Sequence, residues 1–296
     1  MTRVKLLHND KAGDESHSKQ KLISMIESKG FICDYSSIKS SDWDIPQETD
    51  FIVVAGGDGT VKKTAKSLLN RRLVDKRFPI AILPLGTANN LSRALSIGND
   101  PEKIIESWLK PKLRKFDVGR VYGMPKYDFF MEGLGYGVFP ELMRQMKSVD
   151  DNLSDDPEKR MGAALKALQK VIASYKPHFA HIVIDGQDYS GEYLMIEVMN
   201  IPSIGPNLLM APDADTADGL FDIILIHEDK RKVLSSYVGE KLKGKEKPLK
   251  LNPIQGRQIY INWQGSDGHI DDKLIQMKEH PELKIENHSG LLEFFQ

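Results

Sequence analysis

The pentapeptide Gly56-Gly57-Asp58-Gly59-Thr60 stands directly after the unbroken apolar run Phe51-Ile52-Val53-Val54-Ala55. Glycines at such a junction let the backbone approach a ligand closely and reach positive φ, which a β-carbon penalises. A helix starting there would point its first N–H groups outward beside the positive end of its dipole, and that makes an anion site. Phosphate is the natural guest. Asp58 would repel a bare phosphate, so it reads as a partner for Mg²⁺ or a hydroxyl. The competing explanation is a tight strand–helix turn capped by Thr60, for which three glycines are more than needed. The spacing is not that of a Walker A loop, since no Lys-Ser/Thr pair follows, nor of a GxGxxG fingerprint.

A second apolar run, Ile80-Ala81-Ile82-Leu83, opens into Pro84-Leu85-Gly86-Thr87-Ala88-Asn89-Asn90. Two polar, glycine-bearing loops leaving neighbouring strands would meet at the carboxyl edge of a sheet, where α/β folds place ligands. Together they support a nucleotide cleft.

Such loops need a parallel sheet to hold them, and the first third of the chain reads as one. Val4 to Leu7, Phe31 to Tyr35, Phe51 to Ala55 and Ile80 to Leu83 are the candidate strands. Phe51 to Ala55 lacks polar alternation, as expected of a strand covered on both faces. Helical spacing recurs between them. Leu22, Ile23 and Ile26 share a face in a helix predicted over 18–29, with Gly30 as its stop. Val61, Ala65, Leu68 and Leu69 follow the glycine loop, another helix runs through Ala94, and Asp100-Pro101 opens one that reaches Leu109. Regular alternation of strand and helix predicts a doubly wound α/β domain.

From about Phe116 the texture changes to short strand-like segments: Ile182 to Ile184, Tyr193 to Met199, Leu220 to Ile226. Asp185-Gly186 between apolar runs signals a hairpin of unfixed loop length. One long helix interrupts them, opened by Pro157 and ended by Pro177. Its stripe of Met161, Ala164, Leu165, Leu168, Val171, Ile172 and Tyr175 reads as core, because it lacks the basic flank of a membrane-binding face. The second domain is expected to be mainly antiparallel sheet.

Composition narrows the function. Forty-one Lys+Arg against 42 Asp+Glu give a net charge of -1, which provides no global field for nucleic acid. The single cysteine excludes an internal disulfide and points to a reducing cytoplasm. Neither a signal peptide nor a run of the ~18 apolar residues needed to span a bilayer is present. A lipid substrate would therefore be met at the membrane surface, by peripheral association.

With these motifs in order, the chain resembles the diacylglycerol kinase catalytic-domain family, which includes bacterial lipid kinases and sphingosine kinases. The resemblance rests first on Gly56-Gly57-Asp58-Gly59-Thr60 and the loop Leu83 to Asn90. Asn9-Asp10-Lys11-Ala12-Gly13 is similar to the family's opening Asn-Pro-x-x-Gly loop, with Asp10 in place of proline. Glu132-Gly133-Leu134-Gly135-Tyr136-Gly137 is similar to the strand that opens its second domain. Asn200, Ala211-Pro212-Asp213-Ala214 and Asp218-Gly219-Leu220-Phe221-Asp222 match its late signature.

The resemblance implies a two-domain kinase that transfers the γ-phosphate of ATP to a lipid hydroxyl between its domains, such as that of diacylglycerol. The ATP-binding α/β domain, of the NAD kinase/diacylglycerol kinase type, would span 1–117 plus a returning segment of about 285–296, with Leu291 to Phe295 as a strand. A lipid-substrate domain of antiparallel β-sandwich type would span 118–284. Asn9, Gly13, Gly56, Gly57, Asp58, Gly59, Thr60, Gly86, Thr87, Asn89 and Asn90 are the expected nucleotide contacts. Mg²⁺ would be held by the Asp218 carboxylate and the backbone carbonyls of Asp215 and Leu220; an Asp-Gly turn alone is the alternative. A homodimer is compatible with the sequence, which leaves the oligomeric state open.

Two departures stand out. The family's late Asp-Gly-Glu becomes Asp271-Asp272-Lys273, while Asp267-Gly268-His269 keeps the Asp-Gly pair four residues earlier. Asp271 is the expected base for the lipid hydroxyl, with Asp58 as the second catalytic carboxylate. Lys273 reverses a charge there, so a non-catalytic nucleotide- or lipid-binding protein is a competing expectation. Asn90 replaces an aspartate found in many members. An NAD kinase, which shares the Gly-Gly-Asp-Gly loop, is a further alternative. The basic runs Lys230 to Lys232 and Lys241 to Lys247 read as solvated faces in preference to lipid contacts. His178, His181, His269, His280 and His288 show no metal-ligand spacing and are assigned no chemistry, and Asp150 to Asp156 reads as a loop and helix cap.

Overall fold

The computed structural model describes residues 1–12, 17–40, 43–71, 75–124, 126–147, 156–245, 249–276 and 280–296. Gly13 and residues 150–155 lie outside them. The chain divides into two units, one of 1–116 with 289–296 and one of 117–288. The sequence-based boundaries at 117/118 and about 285 differ from these by a few residues.

The first unit alternates strand and helix: β1 (Arg3–His8), α1 (Lys19–Ser28), β2 (Ile32–Ser37), β3 (Phe51–Gly56), α2 (Asp58–Leu69), β4 (Ile80–Pro84), α3 (Asn90–Ala94) and α4 (Pro101–Ser107). Strand β5 (Leu113–Tyr122) leads out of it. The sheet order is β2-β1-β3-β4, all parallel, and Phe294 of the C-terminal strand pairs parallel with Ile80 beyond β4. One face carries Val4, Leu6, Phe51, Val53, Ala55, Ala81 and Leu83, packed with Leu22 and Ile26 of α1 and Ile104 and Ile105 of α4. The alternate residues Leu7, Ile52, Val54, Ile80 and Ile82 point the other way and are equally buried. Burial on both faces is why β3 reads as an unbroken apolar run. Asp100 caps α4 by accepting the amide protons of Glu102 (3.1 Å) and Lys103 (3.4 Å).

The second unit holds β6 (Phe129–Phe130), β7 (Gly133–Gly137), α5 (Val138–Lys147), α6 (Pro157–Ser174), β8 (His178–Ile184), β9 (Gln187–Asp188), β10 (Gly191–Tyr193) and β11 (Met195–Met199). A short pair, β12 (Ser203–Ile204) and β13 (Leu208–Leu209), precedes β14 (Phe221–Ile226) and α7 (Arg231–Leu242). The chain ends through β15 (Ile254–Gly256), β16 (Gln258–Trp263), β17 (Asp267–Ile270), β18 (Lys273–Gln276) and β19 (Glu282–Phe295). Antiparallel pairing gives β10-β8-β16 and the first half of β19 in one sheet, and β15-β14-β11-β7-β17-β18 in another. Ile182, Ile259, Ile261, Trp263 and Ile285 from the first sheet interleave with Leu134, Tyr136, Ile196, Val198 and Ile270 from the second, making a sandwich core. The outer face of the second sheet, through Met195, Met199, Ile224 and Ile226, is covered by Leu142 of α5, Leu165, Leu168, Val171 and Ile172 of α6, and Leu234 of α7. The apolar stripe of the long helix is therefore core. Asp185 and Gly186 both take positive φ, in a hairpin of two residues between Ile184 and Gln187.

Candidate functional site

Strand order places a topological switch between β1 and β3: β2 lies on one side of β1, and β3 and β4 on the other. The carboxyl ends of β1 and β3 therefore frame a crevice, the position at which open α/β sheets bind ligands. Asn9 leaves β1 there, its amide donating to the Ala55 carbonyl (2.9 Å). The Asn9 side chain closes a small turn by accepting the Lys11 amide proton (3.3 Å), and its Nδ2 donates to Thr60 Oγ1 (3.5 Å). Asp10, where the family pattern has proline, turns instead to Lys39 (2.5 Å).

The glycine loop turns from β3 straight into α2, whose N-cap is Gly57 with no side-chain cap. A 12-residue helix with an uncapped first turn presents N–H groups and partial positive charge at the crevice. Each glycine here answers a neighbour. A β-carbon on Gly56 would come within 2.5 Å of Thr60 Oγ1, and one on Gly86 would come 2.6 Å from the Gly57 Cα. The two loops touch backbone to backbone. That contact brings the backbones of both loops together at the crevice.

Asp58, expected to partner Mg²⁺ or a hydroxyl, also has partners within the protein. Its carboxylate accepts the amide protons of Asn90 (2.9 Å) and Leu91 (3.1 Å), at the first turn of α3. The negative charge is met by the amides of a second helix terminus, which removes the objection that it would repel phosphate. Asp58 is thus a tie between loops. Asn89, expected to face the nucleotide, also spends its side chain on the loop: Nδ2 donates to the Gly86 carbonyl (2.8 Å) and Oδ1 accepts the Gly86 amide proton (2.9 Å). It takes the left-handed conformation, φ 50°, which Asn tolerates better than most residues. Thr87 and Gly59 are exposed, Gly57 and Gly86 half-buried, and Thr60 and Asn90 buried.

In the second unit Asp271 and Asp272 form the two-residue turn between β17 and β18, with Ile270 paired to Lys273. Asp267 and Gly268 lie inside β17, so it is Asp271-Asp272-Lys273 that occupies the hairpin tip. Asp271 Oδ1 accepts amide protons from Met131 (3.2 Å), Glu132 (2.8 Å) and Gly133 (3.1 Å), and Oδ2 accepts from Met131 (3.2 Å). Lys273 is exposed and pairs with its neighbour Asp272 (2.9 Å).

Asp215 and Asp218 each close a local turn, accepting the amide protons of Ala217 (2.9 Å) and Leu220 (2.8 Å), while the Leu220 carbonyl accepts from Asn287 Nδ2 (3.2 Å). Sequence reasoning missed buried Asp117, which accepts the Gly219 amide proton (2.7 Å) from far along the chain. Burial, together with the charges of Asp218 and Asp213, pushes Asp222 up to about 6. Carboxylates that crowd in this way suit a hard cation. Among the described residues no three metal-ligating side chains converge on one point, so an ion here needs the backbone carbonyls that the loop supplies. Within the basic runs Arg231 pairs with Glu228 (2.6 Å), Lys230 with Asp229 (3.3 Å), and Lys243 and Lys245 with Glu240. Among the described residues no helix is long and apolar enough to cross a membrane.

A parallel sheet that aims two glycine loops at one crevice, followed by a helix-covered β-sandwich, is the build of a two-domain kinase. Comparison with known proteins narrows that class. Residues 3–121 match the diacylglycerol kinase catalytic domain, and residues 150–276 match the YegS C-terminal NAD kinase beta sandwich-like domain. The chain is 26% identical over 236 residues to the diacylglycerol kinase of Bacillus subtilis, covering 76% of this chain and 74% of that protein. It is 27% identical over 232 residues to a protein of Shewanella frigidimarina named "Probable lipid kinase YegS-like", covering 76% and 72%. In fold it is similar to a diacylglycerol kinase from Bacillus anthracis, with a TM-score of 0.68, 18% identity and coverage of 99% of this chain and 96% of that one. It is also similar to an NAD kinase from Archaeoglobus fulgidus in complex with ATP, with a TM-score of 0.54, 14% identity and coverage of 100% and 94%. The chain thus carries a diacylglycerol kinase catalytic domain followed by a YegS-type C-terminal domain, and the relatives it matches are named lipid kinases.

Proposed function

We propose that the protein transfers the γ-phosphoryl group of ATP to the hydroxyl of a membrane lipid such as diacylglycerol or a related amphiphilic alcohol. The observation that carries this reading is the uncapped start of α2, against which Gly57 and Gly86 pack backbone to backbone. Amide donors fixed in advance match a phosphate chain and need no rearrangement as charge develops on the transferring group. Asn9, Thr60 and Thr87 border these amides, and Gly13 belongs to the same set by resemblance. The lipid oxygen attacks the γ-phosphorus, the bond to the bridging oxygen breaks and ADP leaves. Asp271, whose Oδ2 accepts an amide proton from Met131 (3.2 Å), takes the hydroxyl proton.

Mg²⁺ bound with the nucleotide would neutralise charge on the phosphates. In the second unit the Asp218 carboxylate, with the carbonyls of Asp215 and Leu220, would hold a structural Mg²⁺. The lipid is met by peripheral contact with a bilayer.

Transfer of label from γ-labelled ATP to a lipid panel in the presence of Mg²⁺ tests the reading. Labelled lipid from the wild type, lost in Asp271→Ala, supports it. ATP binding without product on any acceptor favours the second reading, a binding protein disabled by Lys273, whose exposed ammonium stands one residue beyond the Asp271 turn. Lys273→Glu would then restore turnover. Labelled NADP from NAD in the same panel would favour the small-molecule kinase that the fold similarity also allows.

A further inference from the structure

Strand β7 runs between β11 and β17, and Gly135 pairs with Glu197 on one side and His269 on the other. A β-carbon on Gly135 would lie 2.1 Å from Glu197 Oε2. The missing side chain lets Glu197 and His269 meet above the central strand, on the face covered by helices. His269 Nε2 lies 2.8 Å from Glu197 Oε2, both side chains have no solvent exposure, and the Phe139 ring lies 5.3 Å from the imidazole.

The second imidazole nitrogen, Nδ1, lies 3.0 Å from the Asp271 carbonyl. A carbonyl only accepts, so Nδ1 carries a proton. The Nε2–Oε2 link then shares one more, and the pair as a whole is neutral. Neutrality is what makes its place among apolar side chains tolerable. Burial holds Glu197 above the ordinary carboxylate range; burial opposes charge on His269, and Glu197 together with Asp271 outweighs it and raises the imidazole.

Asp271 takes φ 49°, a left-handed conformation that costs most residues with a β-carbon and that Asp adopts when local hydrogen bonds support it. Its amide donates to the Gly133 carbonyl (2.8 Å), its carboxylate reaches back to Met131, Glu132 and Gly133, and its carbonyl is held by His269. We propose that the His269–Glu197 pair positions Asp271 for phosphoryl transfer, gripping its carbonyl so that the turn keeps the conformation that presents the carboxylate. His269 is a positioning residue and touches no substrate. This inference rests on Asp271 receiving the acceptor's proton.

The decisive comparison replaces the pair by apolar residues of similar size, His269→Phe with Glu197→Met. Such exchanges of a buried ion pair are often neutral for stability, so a positioning role separates from a folding role. The double variant is expected to keep the wild-type melting temperature and KM for ATP while kcat for lipid phosphorylation falls about 10²-fold. Glu197→Gln, whose amide can donate to Nε2 while Nδ1 still serves Asp271, should keep kcat within about fivefold, well above the double variant. A double variant with wild-type kcat overturns the proposal. Should it not fold, His269→Leu with Glu197→Leu, a second apolar replacement of the pair, makes the same comparison. A crystal structure of the double variant reads the turn independently of turnover. Asp271 departing from positive φ supports the proposal, and an unchanged turn overturns it. Wild-type inactivity on every lipid would count against the lipid kinase reading alone and leave this structural arm to decide the role of the pair.

Discussion

The Cα of Gly57 lies where a side chain on Gly86 would have to go, 2.6 Å from the position a β-carbon would take. That contact brings two strand-end loops into one amide surface. Gly86→Ala must push the loops apart, because the obstacle is backbone and has no rotamer to swing away. The expected cost in stability is about 1–3 kcal/mol, typical of overpacking. ATP affinity should fall at least about tenfold, since amide donors held out of place lose most of their hydrogen bonds. Titration with a fluorescent ATP analogue and a thermal melt check both parts. Unchanged affinity in a folded Gly86→Ala protein would remove the contact from the nucleotide site.

Asp58 ties the start of α2 to the start of α3. Asp58→Ala leaves two amide donors without their carboxylate, as loss of a helix cap does, so about 1–2 kcal/mol of stability should disappear. Asp58→Asn keeps one acceptor oxygen and should lose less. A purely catalytic carboxylate would behave differently, since both variants would lose activity without any fall in the melting temperature.

How far the chain could be read in advance follows from how local each signal is. The β3 run, the Asp100-Pro101 helix start and the Asp185-Gly186 turn each depend on adjacent residues, and each was legible. The tie from Asp58 to α3 was not legible, because the amides it meets are 32 and 33 residues away, on a helix whose placement depends on sheet order. The pairing of Glu197 with His269 spans 72 residues and needs the register of three strands around Gly135. His269 was set aside for want of metal-ligand spacing, a pattern that says nothing of a partner across a sheet. The available hint was Gly135, a glycine in the middle of a buried strand, which marks close approach by a neighbouring group.

Cys33 lies in β2, where burial, with the nearby Glu27 and Asp34, pushes its thiol up to about 12. At pH 7 its thiolate population is on the order of 10⁻⁵, and thiolate is the reactive form. Thiol reagents should label the native protein slowly and the urea-unfolded protein within minutes. Rapid native labelling would mean that β2 opens readily or that the thiol is more exposed than it is here.

His8, at the end of β1, is buried, and neither ring nitrogen has a hydrogen-bond partner among the described residues. Tyr35 meets it edge-on at 6.1 Å. Burial lowers its pKa from the ordinary imidazole value of 6.5; the Asp10 charge opposes the shift and His17 reinforces it. The unfolded chain therefore binds more protons than the folded one in the window below 6.5, and stability rises with pH there. The stabilising contribution is fully present above the unfolded value and is lost as pH falls through the lowered folded value. His8→Phe can keep the aromatic contact but cannot titrate. Its melting temperature should fall less than the wild type's between pH 7.5 and 5.0, with the two proteins diverging as the solution becomes more acidic. Parallel melting curves across that range would show that the imidazole finds a proton acceptor on acidification, and the assignment of acid sensitivity to this strand end would fail.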